Sequence, residues 1–147
     1  MNIIVNNDII EKYLKKYGWY KGRKVNINNI IQYFIEYEIN TFQNGLDFLE
    51  EFSELNIPIN NNISNSVIEI DSLKGIKNSA YLEDIENYFK IKLMPIGYWK
   101  ATNRTLYIDE FGVIYGNIDE FVTIFGNNFY EALYNIINLK TIKNFIV

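Results

Sequence analysis

The spacing of apolar residues changes along this chain, and that change limits the fold more than any other feature of the sequence. Up to about residue 52, apolar side chains recur at intervals of three and four, as in Ile10, Tyr13, Leu14 and Tyr17, which is the period of an amphipathic helix. From about residue 56 onward, short runs of alternating apolar and polar residues indicate β-strands. The order predicts an α+β fold, with helices first and a sheet after them.

Three helices are predicted in the first half of the chain. The first ends at Gly18, because glycine readily adopts the left-handed backbone that closes a helix. The second covers residues 27–39. The third covers residues 42–52, with Thr41 as its candidate N-terminal cap.

The remainder is predicted to form a sheet with two further helices. The predicted strands are 56–59, 67–71, 92–99, 104–109 and 113–116, and the predicted helices are 80–90 and 128–138. Residues 110–112 form a tight turn that predicts a hairpin. Pro95 has no N–H group, so its strand should lie at an edge or contain a bulge. We therefore expect one domain over residues 1–147, with an antiparallel or mixed sheet flanked by helices.

The absence of Cys and His removes several classes of chemistry. Of 147 residues, none is cysteine or histidine, which excludes disulfides, thiolate zinc sites and His-based catalytic triads. Glycine-rich phosphate-binding motifs are also absent. We predict no catalytic residue, cofactor or metal site, and hence no enzyme. Without an 18-residue apolar run or a basic leader, we expect a cytoplasmic protein with no membrane contact.

A basic and aromatic segment over residues 12–24 offers one alternative function. Its basic residues are Lys12, Lys15, Lys16, Lys21, Arg23 and Lys24, and its aromatic residues are Tyr13, Tyr17, Trp19 and Tyr20. Such a mixture can bind single-stranded nucleic acid. The tyrosines lie on the apolar side of the predicted helix, however, and the net charge of −4 is atypical of nucleic-acid binders. We therefore expect no nucleic-acid partner.

The distribution of charge suggests a protein partner instead. No Lys or Arg occurs between Lys24 and Lys74. Within that stretch, four carboxylates follow the spacing i, i+3, i+4 and i+7, which places them along one side of a helix. They are Asp47, Glu50, Glu51 and Glu54. They form either a solvated helix face or an acidic surface that attracts a basic partner.

The Tyr98-Trp99 pair ends one of the predicted strands. It precedes a polar stretch, Lys100–Asn103. Tryptophan and tyrosine are enriched at binding hot spots, so this pair is either the edge of the core or an exposed anchor for a partner.

Five segments in sequence order resemble the third subfamily of the SUKH immunity proteins. They are GWYKGRKV at 18–25, GLDFLEEF at 45–52, LMPIG at 93–97, LYIDEFGVIY at 106–115 and Gly126 with the EAL and II that follow it up to 137. The sequence departs from the family pattern at Ser53-Glu54, where Gly-Gly is usual. It also departs at Gly45 and Val113, where Ala and Arg are frequent.

The resemblance implies an α+β fold and an immunity protein that acts in the bacterial cytoplasm. Such a protein binds a toxin domain, often a nuclease or deaminase, and occludes it without chemistry. Residues of the family motifs are expected to be structural: Trp19 in the core, Arg23 on a carboxylate or on backbone carbonyls, Asp109 and Gly112 in the hairpin, and Gly97. The family does not fix which residues touch the toxin. From the charge pattern and the aromatic pair of this sequence, we expect the contacts to be Asp47, Glu50, Glu51, Glu54, Tyr98 and Trp99. A regulatory scaffold of the same fold remains the alternative, and the oligomeric state stays open.

Overall fold

A computed structural model describes residues 7–60, 64–140 and 143–147. The helices are α1 Asn7–Lys15, α2 Asn28–Glu36, α3 Gln43–Phe52, α4 Ser72–Lys77, α5 Leu82–Phe89 and α6 Phe129–Ile137. The strands are β1 Asn56–Pro58, β2 Val67–Glu69, β3 Leu93–Lys100, β4 Arg104–Asp109, β5 Ile114–Ile118, β6 Phe121–Gly126 and β7 Asn144–Ile146.

The seven strands form one open sheet in the order β1-β2-β3-β4-β5-β6-β7. Each strand pairs with its sequence neighbour in the antiparallel direction. The predicted α+β class is confirmed, and the sheet is purely antiparallel. Such a meander places neighbouring elements of the sequence side by side.

Alternation along the strands gives the sheet two covered faces. On β4, Leu106 and Ile108 belong to a large core, whereas Tyr107 between them belongs to a smaller one, because successive strand side chains point to opposite faces. Five helices, α1 to α4 and α6, cover the larger face. They contribute, among others, Leu14, Phe34, Leu49 and Leu133. Helix α5 covers the opposite face through Ile85.

Of the two positions predicted for the strand containing Pro95, an edge or a bulge, the structure shows the bulge. Strand β3 lies inside the sheet between β2 and β4, and its pairing with β4 shifts register between Pro95 and Gly97. The bulge lets an interior strand contain a proline. A Cβ on Gly97 would lie 2.2 Å from the Glu69 carbonyl oxygen, so the close approach of β2 requires glycine here.

Several predicted boundaries differ from the structure. Helix α2 ends at Glu36, before the expected residue 39. The N-cap position of α3 is occupied by Phe42 without a side-chain cap bond, so Thr41 is not the cap. Three elements, α4, β6 and β7, were not predicted.

Candidate functional site

Helix α3 presents an apolar side to the core and an acidic side outward. Phe48 and Phe52 are buried, and their rings lie 4.9 and 4.7 Å from the ring of Phe129 on α6. Because these aromatic contacts fix the rotation of the helix, they also fix where its carboxylates point. We call Asp47, Glu50, Glu51 and Glu54 the acidic surface.

Asp47 and Glu54 are the exposed members of the acidic surface. The Asp47 carboxylate accepts a hydrogen bond of 2.7 Å from Gln43, one turn earlier on α3. Glu54 lies beyond the end of the helix at Phe52, which corrects the prediction of four carboxylates on one helical stripe. Its backbone has φ of +72°, in the left-handed region that favours glycine.

That conformation explains why the family pattern has glycine at this position. Where the pattern has a second glycine, the chain keeps a charged side chain in left-handed backbone. The Glu54 N–H donates to the Ile70 carbonyl at 2.9 Å, so pairing with the segment that follows β2 holds this geometry. Left-handed backbone costs a non-glycine residue roughly 1–2 kcal/mol.

Glu50 and Glu51 are half-buried, and both bind groups of this chain. The Lys24 ammonium lies 3.3 Å from the Glu50 carboxylate. The Trp19 indole N–H donates to Glu51 Oε2 at 2.9 Å. Burial, and after it the nearby charge of Glu51, raise the pKa of Tyr130 to about 12. These two carboxylates therefore take part in the fold.

The segment after α1 holds the C-terminal end of α3. Gly18 adopts φ of +102°, as predicted for a residue that closes a helix, and Trp19 is buried in the core. The Arg23 guanidinium donates to the Glu51 carbonyl and, at 2.7 Å, to the Ser53 carbonyl. It thereby satisfies carbonyls that a helix end leaves without partners. The structural contacts expected of Trp19 and Arg23 are present.

The Tyr98-Trp99 pair divides between the surface and the core. Trp99 is only 6% exposed, and its indole N–H donates to Ser66 Oγ at 2.8 Å. A binding anchor needs an exposed side chain, so Trp99 is not retained as one. Tyr98 is half-buried, and its hydroxyl lies 3.0 Å from Asn103 Oδ1.

A buried carboxylate organises the β4–β5 hairpin. Asp109 is 2% exposed, although aspartate is rarely buried unless its carboxylate is paired. Its Oδ1 accepts from the N–H groups of Phe111 at 2.8 Å and Val113 at 3.0 Å, and its Oδ2 accepts from the Tyr115 hydroxyl at 2.8 Å. Burial and this hydrogen bond raise the pKa of Tyr115. Gly112 has φ of +93°, in the left-handed region that favours glycine, and it contributes with Asp109 to the shape of the turn.

The same turn exposes a residue that sequence reasoning missed. Phe111 is 74% exposed. The sequence indicates only a turn at this residue, although a position between Glu110 and Gly112 at a hairpin tip already favours an exposed side chain. An exposed phenylalanine in a fixed turn is a candidate contact residue.

The basic segment over residues 12–24 does not present its aromatic residues together. Tyr13 and Tyr17 pack against the core, and their rings lie 5.3 Å apart in an edge-on arrangement. Trp19 is buried, whereas Tyr20 is exposed. A surface that stacks bases needs several exposed aromatic rings. In this segment the well-exposed ring is that of Tyr20.

The cavities bring few chemically active groups together. An open cavity of about 600 Å³ is lined by Arg104 and apolar residues such as Phe121 and Phe145. Another of about 470 Å³ includes Glu38, Glu83 and Glu86 in its walls. Within the described ranges, no three carboxylates are grouped closely enough to hold a metal ion. No helix among the same residues is long and apolar enough to cross a bilayer.

Comparison with known proteins identifies one family. Neither a curated protein sequence nor a solved structure matches the chain. The model of the SUKH-3 immunity protein family matches residues 7–139. That range contains all five motif segments and runs from α1 through α6. The chain therefore belongs to the SUKH-3 immunity protein family.

Proposed function

We propose that this chain neutralises a cognate toxin domain by binding it through the acidic surface and occluding it. The observation that carries the proposal is the exposure of Asp47 and Glu54 without an ammonium partner. Among the described residues, Lys24 is the one cation within ion-pair distance of the four carboxylates, and it reaches only Glu50. A surface of this kind attracts a basic partner and speeds association.

The strained backbone at Glu54 supports the same assignment. A charged residue persists at φ of +72°, where glycine would relieve the strain. Strain of this kind is often retained where a side chain has a function. Contact with a basic toxin is a role that would favour glutamate over glycine at this position.

Binding without catalysis fits the available chemistry. The chain has no His or Cys, and the side chains with the largest pKa changes are tyrosines inside the fold, such as Tyr107 and Tyr115. Burial raises the pKa of both hydroxyls, which leaves them protonated and poor as bases. We propose that the chain acts as a stoichiometric inhibitor in the cytoplasm of the cell that makes the toxin.

Charge reversal at the two exposed carboxylates tests the proposal. The partner to test is the purified C-terminal domain of a secreted protein from a gene next to that of this chain. The double variant Asp47→Lys/Glu54→Lys should associate with it at least about 10-fold more slowly. Its association rate should also depend less on salt. The measurement is stopped-flow or surface-plasmon kinetics across ionic strength.

A matched control separates a local effect from a change in net charge. Glu83→Lys/Asp84→Lys makes the same charge change in the first turn of α5, on the opposite face of the sheet. It should associate nearly like the wild type. Equal rates for the wild type and the α3 double variant would refute the acidic surface, and failure of the wild type to bind or to rescue growth would refute the immunity function with this partner.

A further inference from the structure

We infer that Phe111 is the apolar anchor of the toxin-binding surface and enters an apolar recess on a basic partner. The inference rests on the proposed function, because it names the residue that holds a toxin attracted by the acidic surface. It begins from the 74% exposure of this side chain. Protein interfaces commonly depend on a few aromatic anchors enclosed by a polar rim.

The turn that carries Phe111 is fixed before any partner binds. The Phe111 N–H is held by the buried Asp109 carboxylate. The Glu110 carbonyl accepts a 2.5 Å hydrogen bond from the Asn44 amide on α3, and the Gly112 N–H donates to the Asp109 carbonyl at 3.1 Å. Each of these three consecutive residues therefore has a backbone group that is hydrogen-bonded within the chain. A preorganised tip loses little conformational entropy on binding, which favours affinity.

The same hydrogen bond joins the hairpin tip to the acidic surface. Asn44 contacts the tip from the first turn of α3, and Asp47 lies three residues later on that helix, hence on the same side. The Glu110 side chain beside Phe111 is exposed as well. Phe111 thus lies beside Glu110 and at the end of α3 that carries Asp47, so an exposed apolar ring adjoins the acidic surface.

This arrangement selects among possible occupants. A second copy of the chain would bring its own carboxylates against Asp47 and Glu110, and such like charges across an interface are unfavourable. A basic domain with an apolar recess satisfies both the phenyl ring and the surrounding charges. We therefore assign the surface to the basic toxin and not to self-association.

The chain provides a matched control for an exposed phenylalanine. Phe121 is 56% exposed and begins β6, beyond the end of β5 that is opposite to the hairpin tip. Replacing either residue by serine removes one exposed aromatic ring. A difference between the two variants therefore reports position and not surface hydrophobicity.

The experiment compares Phe111→Ser and Phe121→Ser for binding to the purified C-terminal domain of the neighbouring secreted protein. Phe111→Ser should weaken the equilibrium affinity at least about 30-fold, mainly through faster dissociation, while its urea unfolding midpoint stays close to that of the wild type. Phe121→Ser should change the affinity less than about 3-fold. Growth rescue on co-expression provides the second readout.

The outcomes separate this inference from the function beneath it. If the wild type binds, the Asp47→Lys/Glu54→Lys variant associates slowly and Phe111→Ser binds like the wild type, the anchor is refuted and the acidic surface stands. Equal weakening by both serine variants also refutes the anchor. If the wild type neither binds the toxin domain nor rescues growth, the proposed function is refuted, and the anchor role of Phe111 is refuted with it.

Discussion

The carboxylates around α3 fall into two groups that differ in what they bind. Glu50 and Glu51 face the segment that follows α1, where the Lys24 ammonium and the Trp19 indole approach them. Asp47 and Glu54 face solvent. Residues of one type in one short stretch therefore have different surroundings, because the apolar side of α3 fixes which of them meets the rest of the chain.

The two groups also differ in their relation to the family motifs. The first motif, residues 18–25, supplies Trp19 and Arg23, which hold the C-terminal end of α3. Neither residue is exposed enough to serve chiefly as a partner contact. The difference teaches that residues shared by a family can stabilise its common fold. Under the proposed function, the exposed carboxylates and the hairpin tip are the parts that contact a particular toxin.

The largest change in the free energy of unfolding is expected at Asp109, the buried residue that holds the exposed hairpin tip. Asp109→Ala should lower the free energy of unfolding by roughly 3–5 kcal/mol, because two backbone N–H groups and the Tyr115 hydroxyl lose a buried acceptor. Urea denaturation measures this loss. The adjacent exposed Glu110→Ala should change it by less than about 0.5 kcal/mol, and similar losses for the two variants would contradict the structural role of Asp109.

The sequence could predict those helices and strands that have a clear local pattern. It could not predict elements that depend on tertiary packing. Helix α3 and the β4–β5 hairpin were predicted because apolar spacing and turn residues mark them locally. Helix α4 has only six residues and includes Gly75, where an added Cβ would lie 3.1 Å from the backbone of Gly97. This contact joins residues that are distant in the sequence, so no local pattern predicts the helix.

The site was only partly predictable for the same reason. Spacing located the four carboxylates, but the Lys24 and Trp19 partners come from a loop more than 25 residues away. A pattern of charges cannot show which charges are used internally. Nor could the sequence decide whether Trp99 was core or surface, since the 2.8 Å bond to Ser66 depends on the pairing of β2 with β3.

A smaller effect should separate the two groups of carboxylates directly. Glu51→Gln should lower the free energy of unfolding by about 1–2 kcal/mol, because it weakens a charge-assisted hydrogen bond to a buried indole. Asp47→Asn, an equivalent change in the exposed group, should cost less than about 0.5 kcal/mol. Equal losses in urea denaturation would remove the distinction between the groups.

The Glu51 variant also has a signature at high pH. The folded-state pKa of Tyr130, about 12, lies above the ordinary tyrosine value of about 10. Its contribution to stability is therefore complete below pH 10 and falls as the pH rises toward 12, because the folded state keeps a proton that the unfolded state releases. Glu51→Gln should lower this pKa and make the decline shallower. Ultraviolet titration of tyrosinate and unfolding curves at pH 9–12 measure both.

The smallest effect should have the opposite sign and concerns Glu54. Glu54→Gly should raise the free energy of unfolding by up to about 1 kcal/mol, since glycine adopts φ of +72° without the penalty of a Cβ, although its freer unfolded chain offsets part of the gain. Association with the toxin domain should slow at the same time, because an exposed charge is lost. Glu54→Gln is the control, since it removes the charge and keeps the strain. A glycine variant that is more stable and binds as fast as the wild type would mean that Glu54 is retained for a reason other than the toxin.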